Sequence, residues 1–173
     1  MSSSVEAVRA SAVDGRAELV FARRDGRTTL THSLVTAPMT LIRTFPLPDG
    51  RQLVPLITLG PGLCGGDVVR LRIVAEEGAG VVVTTTAATR VLSMEPGAHA
   101  EQHVEIEAAP GARIEYYPAV TIPFPGSALV QTLRVRAAPS AQVSITPTRA
   151  PGAARTRSVC TRALPGKGIV TAG

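Results

Sequence analysis

Two residues able to ligate a divalent cation, Cys64 and Asp67, bracket a pair of glycines in the run Gly60-Pro61-Gly62-Leu63-Cys64-Gly65-Gly66-Asp67. A thiolate and a carboxylate can each hold such an ion in transit. A carboxylate directly after two glycines can equally accept the N–H groups of its own turn. The same run spells G-x-G-x-x-G at Gly60, Gly62 and Gly65, the spacing with which a dinucleotide fold lays pyrophosphate on a helix N-terminus. That chemistry requires a helix next in the chain. Instead Val68, Val69, Leu71, Ile73 and Val74 are interleaved with Arg70 and Arg72, a β-branched alternation that predicts a strand. Without a helix terminus there is no dipole to hold phosphate, and the glycines read as a tight turn between strands.

The other candidates are sparser. His99 and His103 stand four apart; in a strand that spacing spans about 13 Å, too far for two ligands on one ion. The alternation through Val104 and Ile106 favours a strand, so both histidines are expected as polar residues on a solvated face. His32 belongs to another predicted strand. Thr84 to Thr89 is a β-favouring run. Glu115, beside Tyr116, lines an interface or sits on the outer face of its strand. Ser127, in Pro-Gly-Ser-Ala, lacks the glycine spacing of a nucleophile elbow, and three histidines without orienting partners make no triad. These residues predict a protein that binds rather than catalyses, with no tightly bound cofactor.

The 173 residues, 45% of them hydrophobic, are enough for one domain with a sizeable core. Pro or Gly interrupts every long apolar run, and Met1 to Ala10 carries no apolar signal segment, which predicts a cytoplasmic protein. Two distant cysteines argue against a disulfide framework or a structural zinc site. The net charge of +5 suggests nucleic acid until it is located. Residues 1–146 hold 13 arginines and all 13 carboxylates, so the surplus lies in Arg149, Arg155, Arg157, Arg162 and Lys167. With only two tyrosines, three phenylalanines and no tryptophan, a stacking surface for single strands is not expected either.

Positioning falls to strands. Ala17 to Arg23 and Thr28 to Val35 flank a hairpin turn at Arg24-Asp25-Gly26-Arg27. Strands at Leu41 to Phe45 and Gln52 to Leu59 follow. A repeat then sets in: Leu71-Arg72-Ile73 leads through Glu76-Glu77-Gly78-Ala79 to Val81–Val83, Val104-Glu105-Ile106 through Ala109-Pro110-Gly111-Ala112 to Ile114, and Leu133-Arg134-Val135 through Ala138-Pro139-Ser140-Ala141 to Val143. Each unit reads as strand, turn and strand, and none can bury its apolar faces alone. Stacked hairpins can, which predicts an all-β, β-helix-like layered architecture. Alternation ends at Ile145. The expected organisation is a flexible N-terminus over 1–14, a β domain over 15–146, and an unpatterned basic tail over 147–173, either a flexible tail or residues out of frame, leaving the stack incomplete at that end.

In this order the chain resembles the urease accessory protein UreD family. The residues that carry the resemblance are Gly15-Arg16-Ala17-Glu18-Leu19, Arg24-Asp25-Gly26-Arg27-Thr28, Ala37-Pro38, Leu59-Gly60-Pro61-Gly62 and Gly65-Gly66-Asp67. They continue through Thr84-Thr85, Ala87-Ala88-Thr89-Arg90-Val91, Ile114-Glu115-Tyr116-Tyr117-Pro118, Ile122-Pro123-Phe124, Ser127 and Gln131. The resemblance implies a non-enzymatic scaffold that, with the accessory proteins UreF and UreG, passes nickel(II) into the apo-urease active site, in a complex open to homodimerisation. It implies a nickel path past Cys64, Asp67 and Glu115. It further implies a partner-facing surface comprising Gly65, Gly66, Asp67, Thr85, Thr89, Arg90, Tyr116, Pro118, Ile122, Pro123 and Phe124. Thr86 departs from the family's usual Gln, and family members continue well past the position of Ile145. The alternative is a self-contained β-solenoid module that binds carbohydrate or protein.

Overall fold

The computed structural model describes residues 12–146, 156–161 and 169–172. Among them there is no helix, and the fold is all-β. The strands are β1 (Asp14–Arg24), β2 (Arg27–Val35), β3 (Met39–Thr40), β4 (Phe45–Pro46), β5 (Gln52–Thr58), β6 (Val68–Ala75), β7 (Gly80–Thr85) and β8 (Thr89–Val91). After them come β9 (Ala100–Ala108), β10 (Arg113–Tyr117), β11 (Thr121–Pro123), β12 (Leu129–Ala137), β13 (Gln142–Ile145), β14 (Thr156–Thr161) and β15 (Ile169–Ala172).

A first sheet runs β14-β12-β9-β6-β1-β2, a second β15-β13-β10-β7-β5-β3, with β4 also paired to β5, and a small third sheet joins β11 to β8. The pairings β6–β9–β12–β14, β7–β10–β13–β15 and β8–β11 are all parallel. The antiparallel β1–β2 hairpin lies at one edge of the first sheet, its turn made by Asp25 and Gly26 at φ 49° and 77°. Two successive positive φ angles are what a tight hairpin that follows the strand twist requires.

The sequence repeat is the register of these sheets. Leu71 lies opposite Val104, and Val104 opposite Leu133; Val81 lies opposite Ile114, and Ile114 opposite Val143. The units are not hairpins, however, because β6, β9 and β12 stack in one sheet while β7, β10 and β13 stack in another. Each turn is a corner between sheets. The physical reason is burial: alternate residues of both sheets meet in one core, where Ile73, Ile106, Val81, Ile114 and Val143 are buried together. Each such side chain contributes about 1.5–3 kcal/mol relative to exposure. Ala79, Ala112 and Ala141 turn inward at successive corners, and Ala109 N–H donates to the Ala75 carbonyl at 2.9 Å as Ala138 N–H does to that of Ala108 at 2.8 Å. The third corner holds Ser140 at φ 66°, beside Gly78 and Gly111 at 65° and 69°. Its hydroxyl accepts the Gly111 N–H at 3.1 Å, which offsets part of the cost of that conformation.

Two further expectations change. The strand predicted over Leu41 to Phe45 is replaced by two short ones, β3 and β4, with residues 41–44 between them outside any strand. Ile42 there is 78% exposed, while Leu41 packs against the core, and hydrophobicity alone set the expectation. Beyond Ile145, where alternation stops, β14 adds to β12 and β15 to β13 in parallel register; the preceding strands present backbone partners whether or not the incoming sequence alternates. The remainder of the segment 147–173, and residues 1–11 of the expected flexible N-terminus, lie outside the described residues.

Candidate functional site

The glycine-rich turn leads into β6, a strand, so its G-x-G-x-x-G spacing serves stacking. A Cβ on Gly62 would stand 2.7 Å from the Arg90 carbonyl oxygen, and one on Gly65 would stand 2.9 Å from the Ala98 Cβ. The Leu63 N–H can therefore donate to the Arg90 carbonyl, and the Leu92 N–H to the Leu63 carbonyl, each at 2.8 Å. A parallel bridge from Leu63 to Val91 continues the third sheet on this side.

The carboxylate of Asp67 is buried in that turn. Its Oδ1 accepts the Val13 N–H at 2.8 Å and its Oδ2 the Cys64 N–H at 2.7 Å. Cys64 is a free, exposed cysteine. Glu115, mostly buried on the outer side of β10, accepts from Arg51 at 2.8 Å and from the Tyr117 hydroxyl at 3.2 Å, and pairs with Arg113. Burial raises its carboxyl, but the Arg113 hydrogen bond, the Arg51 and Arg113 charges and Tyr117 outweigh it and hold the group below the ordinary glutamate value. Asp67 and Cys64 thus share one turn, whereas Glu115 stands in the second sheet with its own arginine partners. Among the described residues no group of three His, Cys, Asp or Glu side chains could hold a metal ion. His99 and His103 both approach Glu101, at 3.4 and 2.8 Å, and all three are partly exposed.

The third sheet gathers much of the expected partner surface. Thr89 and Arg90 on β8 lie opposite Thr121 and Ile122 on β11, with Pro123 opposite Val91. Phe124 N–H donates to the Val91 carbonyl at 2.9 Å, extending the same pairing. Thr85 accepts the Ala119 N–H on Oγ1 at 2.7 Å, which fixes the segment containing Pro118 beside β7. Ile122 and Phe124 are 38% and 41% exposed, and Arg90, also exposed, donates to the Gly60 carbonyl at 3.2 Å. Gly65 and Gly66 lie at the neighbouring corner, where the Gly66 N–H bonds to the His99 carbonyl.

Tyr116 is the member of the expected surface that the fold turns inward: it is 4% exposed, and burial pushes its phenol up. Its neighbour Tyr117 is exposed, as is Leu59; neither was anticipated at the surface. The signal was present, because Ile114 and Tyr116 share a strand phase and Tyr117 takes the other. Ser127 is buried in the turn closed by its N–H on the Phe124 carbonyl, and its hydroxyl has no hydrogen-bond partner among the described residues. No helix among the described residues is long and apolar enough to cross a membrane.

Stacked parallel strands, the Asp67 and Glu115 carboxylates held by backbone or arginine partners, and exposed Ile122 and Phe124 beside Thr89 and Arg90 make up this all-β protein's candidate site. The chain belongs to the UreD urease accessory protein family, whose model matches residues 13–162. It is 38% identical to the urease accessory protein UreD of Deinococcus radiodurans over 138 residues, covering 80% of this chain and 50% of that protein. It is also 38% identical to a UreD 2 of a Bradyrhizobium species over 134 residues, 76% of this chain and 47% of the relative. A UreD 1 of a Synechococcus species is 38% identical over 118 residues, 68% of this chain and 44% of the relative. The chain therefore spans about half the length of the curated relatives it matches. The family is defined by an accessory role to urease rather than by a reaction of its own.

Proposed function

We propose that this chain is part of a urease maturation scaffold, a non-enzymatic cytoplasmic protein that, with UreF and UreG, conveys nickel(II) to apo-urease. The supporting observation is that residues of the family resemblance, Gly60 to Gly62, Thr89 to Val91 and Ile122 to Phe124, fall side by side along the third sheet. A mixed surface of exposed isoleucine, phenylalanine and arginine is the composition that protein–protein interfaces favour at their centres. The stack itself has the character of a parallel β-helix, rigid in the strand-stacking direction, which suits a spacer between partners.

Nickel is cargo in this reading, not a resident cofactor. Cys64 offers an exposed thiol and Asp67 a carboxylate in the same turn, while Glu115 stands apart. Because Asp67 and Glu115 are already engaged by protein donors, they would bind weakly, as a path requires, and the accessory complex would bring two copies together through its partners. Co-expression with the urease subunits, UreF and UreG under nickel supply tests the proposal. Co-purification with UreF, lost when Phe124 is replaced by Asp, is expected; retention of an unfolded-free, monodisperse chain that captures neither UreF nor urease would overturn it.

A further inference from the structure

The outward face of the first sheet carries its charges in rows set by register. One row reads Glu18, Arg72, Glu105, Arg134 across β1, β6, β9 and β12, alternating in sign. The next row reads Arg16, Arg70, His103, Thr132, with no carboxylate in it. Neighbouring strands lie about 4.8 Å apart, and like charges directly opposite are destabilising unless something of opposite sign lies between them.

The carboxylates that serve this row come from elsewhere. Arg16 pairs with Glu18, Arg70 with Asp14, and His103 with Glu101. Arg134, although opposite Glu105, is not paired with it, because Glu105 pairs with Arg136; Arg134 has no carboxylate partner among the described residues. A concavity of about 520 Å³ lies over these rows, lined by Arg16, Arg70, Arg72, Arg134, His103 and Glu105, and of its arginines Arg72 is itself paired with Glu18 and Glu107. Its volume is in the range of small-molecule sites. The Thr132 hydroxyl adds a neutral donor to the same wall.

We propose that this groove binds a small, multiply charged oxyanion, a compact phosphate or polycarboxylate, held chiefly by Arg70 and Arg134 with His103 and Thr132 as further donors. Guanidinium groups suit that role because their planar forks match the oxygens of phosphate and carboxylate alike. The site goes beyond the accessory role and does not depend on it: it lies on the first sheet, and its test uses the isolated 173-residue chain without urease.

The test is calorimetric titration with pyrophosphate and, separately, citrate, at constant ionic strength. One-site, saturable binding is expected, with Arg70→Gln and Arg134→Gln each weakening it about tenfold, the scale of a lost charge-assisted contact. Tighter binding of pyrophosphate assigns the phosphate class, and tighter binding of citrate the carboxylate class. Arg113→Gln removes the same charge from the second sheet and should change affinity less than about twofold. No saturable heat with either anion, or an equal loss in Arg113→Gln and Arg134→Gln, would overturn the proposal.

Discussion

Asp67 accepts the main-chain N–H of Val13, 54 residues earlier, at 2.8 Å, and so ties the residue before β1 to the turn before β6. The same carboxylate closes its own turn on the Cys64 N–H. Both donors lie where the chain enters two paired strands, and β1 and β6 begin in register at Asp14 and Val68.

Replacing Asp67 by Ala leaves both donors without this acceptor and should cost about 3 kcal/mol, two charge-assisted bonds at the low end of their range. Asp67→Asn keeps one oxygen and should cost less than half as much. Denaturant melts of the three proteins check the order. A fully stable Asp67→Ala variant that alone loses urease activation would instead assign the carboxylate to nickel transfer.

The Gly62 position should tolerate no side chain, and Gly60 should tolerate one at a modest cost. Both have positive φ, 98° at Gly60 and 144° at Gly62, but a Cβ at Gly60 meets nothing within 4 Å, whereas at Gly62 it meets the Arg90 backbone. Gly60→Ala is expected to cost about 1 kcal/mol from backbone strain alone, and Gly62→Ala at least about 2 kcal/mol more. Thermal midpoints measured side by side isolate the clash from the strain.

Much of this arrangement is legible in the sequence. Leu71, Val104 and Leu133 were matched by sequence alone and are cross-strand neighbours. What periodicity could not supply was the partner of each strand: an apolar alternation says which face is buried, not whether the turn at Gly78 returns to the same sheet or rounds a corner. For the site, the family pattern marked Arg90, Ile122 and Phe124, and the fold set them together. It also marked Tyr116, whose inward phase was there to be read. Glu115 was ambiguous because, besides the neighbouring Arg113, its partner Arg51 is 64 residues away, and no local pattern reports a contact of that range.

Acid should weaken the protein through Glu115 and Glu18. Arg72 is the leading cause of the Glu18 depression, its hydrogen bond and charge outweighing burial. Both folded-state values lie below the unfolded value, near 4.5. The unfolded chain therefore binds protons first as pH falls. Each pair's stabilisation is fully present above that value and is lost as pH drops through the folded value. Glu115→Gln should flatten the dependence below about pH 4.5 and lower stability at pH 7. Urea melts from pH 7 down to pH 3 provide the comparison, and an unchanged slope would contradict the ion-pair account.

The third sheet yields the last prediction, which separates an interface from a core. Ile122 and Phe124 are more than a third exposed, so Ile122→Asp and Phe124→Asp should shift the thermal midpoint little, within about 0.5 kcal/mol of stability. Tyr116→Ala, by contrast, empties a buried aromatic position and should cost about 3–5 kcal/mol. If the proposed docking is right, the two aspartate variants lose co-purification with UreF and urease activation while remaining folded, because a buried charge at an apolar interface centre costs several kcal/mol of affinity. Tyr117→Ala, on the second sheet, should leave capture unchanged. Pull-downs scored against thermal midpoints make the two effects independent, and full capture by both aspartate variants would move the interface to another face of the stack.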